Sequence, residues 1–337
     1  MKATLKDIEK AAHVVYAHMS PTPQINWPLL GRRSGADVWV KHENHTPIGA
    51  FKVRGGLVLM DWLRRTHANV TDVITATRGN HGQSIAFAAK RFGVTATVVV
   101  PYGNNPEKNA SMEALGAELV EHGYDFDAAS DHAAEMAEAR GLYRLPSFNA
   151  PLVSGVATYA LEFLRAVPDL HTVYVPIGLG SGICGMISAR DALGLKTRIF
   201  GVVAEEAAAY ARSFEVGKAV ETDSANTLAD GMAVRIPNGD SLAIILAGAE
   251  DVVSVSEDAI LDAMGHCFTD THNLAEGAGA APLAALLCDR QGMAGKKVGL
   301  VLSGGNVDRA LFRRVLKRYC SAPSDGRRTH DRRDFSR

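Results

Sequence analysis

The sequence predicts an α/β chain, with parallel sheets covered by helices on both faces and divided between two domains. Six short runs rich in β-branched residues show little polar–apolar alternation, as strands buried on both faces do. Stretches of helical period separate these runs, and strand–helix–strand repetition produces parallel sheets. The length agrees: 337 residues suggest two domains or one large one, and a 47% hydrophobic content can bury a sizeable core.

The first helix is predicted over 5–18, where Ile8, Ala11, Ala12, Val15 and Tyr16 share a face at helical spacing. The run DVWVKHE (37–43) is a strand candidate with an unusually polar end. Clearer strands are DVITAT (72–77), ATVVVP (96–101), TVYVPI (172–177), RIFGVVA (198–204) and KVGLVLSG (297–304). Between them lie helical periods such as SIAFAAKRFG and FDAASDHAAEMAEARG. The tail from about Ser321 has almost no apolar residues and many charges, which predicts disorder over 321–337.

Composition narrows the partners. Lys and Arg number 36 against 37 Asp and Glu, so charge gives no reason to expect nucleic acid or an anionic membrane. No apolar run reaches the length of a membrane span, and the charged N-terminus lacks the apolar stretch of a signal peptide. Cys184, Cys267, Cys288 and Cys320 are far apart and form no CxxC pair, which predicts reduced thiols in a cytoplasmic setting.

Ligands of parallel α/β sheets sit beyond the carboxyl ends of the strands. Three predicted strands end there in polar or Gly-rich loops: ATRGNHGQS (76–84), PIGLGSGICG (176–185) and SGGNVD (303–308). Gly178, Gly180 and Gly182 let backbone N–H groups turn towards one point before a helix, which suits a phosphate; a tight turn is the plainer reading. A dinucleotide site would look similar, but GLGSG is not a full GxGxxG. Asn80 and His81 lie between two glycines at a strand–helix junction, where they suit either a carboxylate or a simple N-capping turn. Ser303 can bond a buried heteroatom or merely close a turn. In GAFKVRGG (49–56), Phe51 and Lys52 open a largely apolar helix. A desolvated lysine there has a lowered pKa and becomes an amine nucleophile, and the nearby glycines are expected to permit close approach of a ligand; a solvated surface lysine is the plainer reading.

Taken together and in this order, the four features resemble the fold-type-II pyridoxal-5′-phosphate enzymes (the tryptophan synthase beta-like fold), and among them the serine/threonine dehydratases and serine racemases. The resemblance runs from about residue 5 to 320 and includes LADGMAV (228–234) and NLAEGAGAAPLAAL (273–286). It implies that Lys52 is the Schiff-base lysine and the base for the α-proton. It implies Phe51 against the pyridine ring, Asn80 on the ring hydroxyl, and Gly178, Leu179, Gly180, Ser181 and Gly182 around the phosphate. Ser303 would face the pyridine nitrogen, a weak partner that favours elimination over a long-lived carbanion. Thr77, Arg78, Gly79, Asn80 and His81 would border the substrate, and Glu276 falls near the family's active-site glutamate. The implied domains are a small mobile one at 68–146 and a large cofactor-binding one from 1–67 and 147–320. The implied reaction converts a 3-hydroxy amino acid, L-threonine or L-serine, to a 2-oxo acid and ammonia in amino-acid catabolism. The implied assembly leaves room for a homodimer.

Several residues depart from the family pattern. Arg78 stands where the racemases have a serine that reprotonates the α-carbon, and a guanidinium with a pKa above about 12 is a poor proton donor or acceptor. Racemisation is therefore expected to be weak or absent. Ala50 replaces a usual hydroxyl two residues before the lysine. Together with Arg78 it keeps open a bulkier or acidic substrate, such as 3-phenylserine or 3-hydroxyaspartate. Val203 and Ala209 stand where relatives ligate a divalent cation, so no metal is expected there, and Glu205 and Glu206 read as solvated charges. No effector-binding domain is expected, nor feedback by isoleucine. Two other classes stay in view: a cofactor-binding protein without turnover, and a dehydrogenase using the Gly178 loop.

Overall fold

The structure, a computed structural model, describes residues 2–321. Its strands are β1 (Gln24–Asn26), β2 (Asp37–His42), β3 (Asp72–Ala76), β4 (Thr95–Val100), β5 (Glu118–Glu121), β6 (Tyr143–Arg144), β7 (Thr172–Pro176), β8 (Arg198–Ala204), β9 (Asp251–Val255) and β10 (Lys297–Leu302). The helices up to the middle of the chain are α1 (Leu5–Tyr16), α2 (Pro28–Ser34), α3 (Lys52–Thr66), α4 (Asn80–Arg91), α5 (Pro106–Ala114), α6 (Phe126–Arg140), α7 (Ala150–Ala166) and α8 (Ser181–Ala192). There follow α9 (Ala209–Val216), α10 (Gly239–Gly248), α11 (Glu257–Thr271), α12 (Gly277–Cys288) and α13 (Arg309–Ser321). Ser321 thus ends a helix, and the rest of the expected disordered tail lies outside the described residues.

All six strands expected from sequence form, within two residues at each end. Four others, β1, β5, β6 and β9, are short or partly exposed and give no strong apolar run. The ten strands make two sheets: β1-β2-β10-β7-β8-β9 and β5-β4-β3-β6. Every pairing is parallel except the edge pair β1–β2. Both sheets are covered on both faces, which explains the missing alternation. In the larger sheet, Val173 and Val175 of β7 pack with α7 and α8, while Tyr174 between them packs with α12. In the smaller, Val73 faces the core of α3 and α4, and Ile74 that of α6.

The strand orders place the ligand site. In the smaller sheet the chain steps from β3 to β4 to β5, then returns to β6 on the other side of β3. In the larger sheet it steps from β7 to β8 to β9, then returns to β10 on the other side of β7. Crevices open at such reversals, beyond the carboxyl ends of the strands. The three loops singled out from sequence follow β3, β7 and β10.

The polar end of β2 has a physical reason. Lys41, Glu43 and Arg54 are all 0% exposed and form one ionic network with Glu162 of α7. Arg54 Nε donates to Glu43 Oε2 at 2.7 Å and Nη1 to Glu162 Oε1 at 2.6 Å, and Lys41 also pairs with Glu162. Burial lowers the pKa of Arg54, but Glu43 and Glu162 hold it above the ordinary value. The network ties β2 and α7 to the first turn of α3, two residues from Lys52.

The glycines after Lys52 serve packing rather than a ligand, which corrects the sequence expectation. A Cβ on Gly55 would lie 2.4 Å from Leu152 of α7, and one on Gly56 would lie 2.2 Å from the Ser84 hydroxyl of α4. The two positions let α4 and α7 close on α3.

Breaking the network by Arg54→Met leaves two buried carboxylates without their cation. Urea unfolding should show a loss of about 3–5 kcal/mol; a loss below about 1 kcal/mol would contradict the account.

Candidate active site

One cavity of about 340 Å³ opens between the two sheets, and all three loops line it. At its edge stands Lys52, the first residue of α3. The start of this helix is pinned by the Phe51 N–H, which donates to the Ser303 carbonyl at 2.9 Å, and by the bridge between Ala50 and Gly304. The Ser84 hydroxyl of α4 donates to the Lys52 carbonyl at 2.6 Å. Among the described residues the amine has a single neutral partner, the Ser181 hydroxyl, to which it donates at 3.2 Å. Burial pushes its pKa down to about 8. The Phe51 ring lies beside it, with its centroid 5.2 Å from Nζ. A lysine so placed is a ready nucleophile and base near neutral pH.

Two helices aim their N-termini at this amine's surroundings. Helix α8 starts at Ser181 with Gly180 as its N-cap, so no side chain caps its first N–H groups. Gly180 has φ +95°, and a Cβ there would lie 2.7 Å from Ser241. A Cβ on Gly178 would lie 2.2 Å from the Gly231 carbonyl, and one on Gly182 would face the Phe51 ring. Tyr210 backs the loop, donating to the Leu179 carbonyl at 3.2 Å. Helix α4 starts at Asn80, again without a side-chain cap on its N-cap residue, Gly79. The Thr77 hydroxyl accepts from the Gly79 N–H at 3.0 Å. Each end presents backbone donors and a partial positive charge, the chemistry of an anion site.

The Asn80 side chain does not cap the helix. Its Nδ2 donates to Glu276 Oε1 at 2.8 Å, and its Oδ1 accepts from Asn306 Nδ2 at 2.8 Å. The amide is thereby fixed in one orientation on the cavity wall. Buried His81 meets the Thr75 hydroxyl through Nε2, and its Nδ1 has no partner; burial and the nearby Lys52 push its pKa down to about 3, so the ring is neutral. Ser303 is 3% exposed at the end of β10 and lines the cavity. Arg78 lines it too, as an exposed side chain.

Every residue expected at the cofactor or the substrate borders one cavity: Phe51, Lys52, Thr77, Arg78, Gly79, Asn80, His81, the 178–182 loop, Ser303 and Glu276. Val203 and Ala209 are buried and apolar, and Glu205 and Glu206 are exposed. Sequence reasoning missed Asn306, Lys108 and Asp230. Lys108, near the start of α5, and Asp230, from the LADGMAV loop, form an ion pair at 2.8 Å across the cavity. Asn306 and Asp230 lie inside stretches noted for other reasons. Lys108 was findable only as a residue on the helix after β4, beyond the same sheet edge as the Asn80 loop.

Residues 15–304 match the pyridoxal-phosphate dependent enzyme family. An L-threonine ammonia-lyase of Geobacter sulfurreducens is 39% identical over 312 residues, 92% of this chain and 77% of that protein. One from Thermotoga maritima is 32% identical over 316 residues, 94% of this chain and 78% of the relative. The structure of processed threonine deaminase isoform 2 from Solanum lycopersicum superimposes with a TM-score of 0.86 at 28% identity, covering 94% of each chain.

Glu276 gives the site a pH signature. Burial lifts its pKa from the ordinary 4.5 to about 7, against the opposing pull of Lys108 and the Asn80 bond. A carboxyl raised on folding stabilises the native state fully below its unfolded pKa, and that contribution is lost as pH rises through the folded one. Between about pH 5 and pH 8 the wild type should lose about 2–3 kcal/mol more stability than Glu276→Gln. Parallel urea-unfolding profiles for the two proteins would contradict this.

Proposed function

The chain belongs to the pyridoxal-phosphate dependent enzymes, and from that premise we propose that it is an ammonia-lyase for L-threonine or L-serine with Lys52 as its catalytic lysine. It is a lyase of 3-hydroxy amino acids, and its relatives' names give threonine as the first substrate to try. The observation that carries the residue assignment is the setting of Lys52: an amine with its pKa lowered to about 8, between an anion-binding helix end and a second one.

The cavity fits the cofactor. The 178–182 backbone follows a path that side chains at 178 and 180 would block, and it leads into an uncapped helix N-terminus. That is a cradle for a phosphate. The Phe51 ring offers a flat apolar contact, Asn80 a fixed amide, and Ser303 a buried hydroxyl for a ring nitrogen. When bound, pyridoxal phosphate supplies a carbonyl that condenses with amines and an electron sink for the substrate's α-carbon.

The protein's own groups do the rest. The N-terminus of α4, with Thr77, Gly79, Asn80 and His81, binds the substrate carboxylate and orients the α-hydrogen towards Lys52. The free Lys52 amine removes that proton and holds it at Nζ, beside the Ser181 hydroxyl. Loss of the 3-hydroxyl follows, and hydrolysis yields the 2-oxo acid and ammonia. Lowering of the lysine's pKa by burial suits it to this role near neutral pH. Motion of a small unit, 68–146, against the larger one from 1–67 and 147–320 belongs to the same proposal. It would close the Asn80 loop on the substrate and exclude water. Among the described residues no helix is long and apolar enough to cross a membrane. Cys184, Cys267 and Cys288 are free thiols, which supports a cytoplasmic setting.

The test is the absorption spectrum of the purified protein, followed by assay of 2-oxo acid and ammonia with L-threonine and L-serine. Expected are a visible cofactor band and product, both lost in Lys52→Ala. A band without product from any 3-hydroxy amino acid would favour a cofactor-binding protein without turnover. No band in the wild type would overturn the assignment of Lys52.

A further inference from the structure

The charges around the cavity do not all find partners. Lys108 pairs with Asp230 at 2.8 Å, and Arg235 lies 3.9 Å from Asp127. Asp125 spends one carboxylate oxygen on the Ala128 N–H at the start of α6. Lys52 bonds the Ser181 hydroxyl, and Glu276 is held by Asn80. Arg78 has no hydrogen bond or ion pair among the described residues, although it lines the same cavity. It occupies the turn between β3 and α4, one residue after Thr77 and two before Asn80.

The anions of the reaction are already provided for. The α8 N-terminus suits the cofactor phosphate, and the α4 N-terminus suits the substrate's α-carboxylate. A third cationic group, planar, permanently charged and unpaired, is left facing the place of the substrate. Guanidinium groups bind carboxylates bidentately, and Arg78, exposed at the cavity wall, is open to such a partner. A substrate with a neutral side chain offers such a group only the α-carboxylate, for which the α4 N-terminus is already suited. We propose that Arg78 receives a second anionic group, so that the preferred 3-hydroxy amino acid carries an acidic side chain.

This inference rests on the dehydratase reading above, goes beyond it by putting an acidic substrate in place of L-threonine or L-serine, and makes Arg78 a specificity-determining residue. The alternative use of Arg78 is to reinforce the α-carboxylate site. The two uses differ in one measurable respect: only the first distinguishes a dicarboxylate from a monocarboxylate.

The experiment uses the holoenzyme. Turnover of L-threo-3-hydroxyaspartate and of L-threonine is compared for wild type, Arg78→Met and Arg78→Lys. Binding of succinate and of butyrate is measured by calorimetry on the same three proteins. In wild type, kcat/KM should be higher for the acidic substrate, and succinate should bind more tightly than butyrate. In Arg78→Met the acidic-to-neutral ratio of kcat/KM should fall about thirtyfold or more, as expected for loss of a charged hydrogen bond. Arg78→Lys should recover part of it. A wild-type preference for L-threonine overturns the proposal, as does an Arg78→Met variant that weakens succinate and butyrate alike. If no 3-hydroxy amino acid is turned over but succinate still outbinds butyrate through Arg78, the second-anion site stands and the dehydratase reading falls.

Discussion

Everything in this molecule turns on keeping one amine out of water without giving it a counter-ion. Lys52 meets a serine hydroxyl and an aromatic ring, and among the described residues no carboxylate lies within ion-pair distance. An acidic neighbour would hold the amine protonated; burial alone lowers its pKa to about 8. The surroundings of α3 serve that end. Arg54 ties the helix to β2 and α7 by buried ion pairs, Gly55 and Gly56 admit α7 and α4, and Ser303 pins the residue before the lysine. The charges needed for rigidity are gathered on the Arg54 side of the helix, away from the reactive amine.

The second constraint is topological. Each sheet reverses its winding once, between β3 and β6 in the smaller and between β7 and β10 in the larger. Both reversals open to one cavity, so two helix N-termini and the end of β10 converge there. Fixed backbone dipoles then suit anions without a charged side chain beside Lys52, since His81 nearby is neutral. Arg78 is the exception: a full charge on the same turn as the α4 donors.

Much of this was legible in sequence for a physical reason. Strands buried on both faces leave continuous apolar runs, and glycine loops at their ends mark where backbone must approach a ligand. The runs at 72–77 and 198–204 and the loops at 76–84 and 176–185 are of this kind. The exposed edge strands β5 and β6 left no such trace, because half their side chains meet solvent. Pairings across long separations were also hidden. Nothing near Arg54 names Glu162, and nothing near Lys108 names Asp230. The glycines after Lys52 were misread, since a glycine that admits a helix looks in sequence like one that admits a ligand.

The central claim is that Lys52, and no other lysine, forms the covalent bond to the cofactor. Borohydride reduction of the holoenzyme followed by peptide mapping tests it most directly. The account predicts one modified peptide, carrying the reduced cofactor on Lys52. Modification of Lys41 or Lys108 instead, or of no lysine at all, would contradict it.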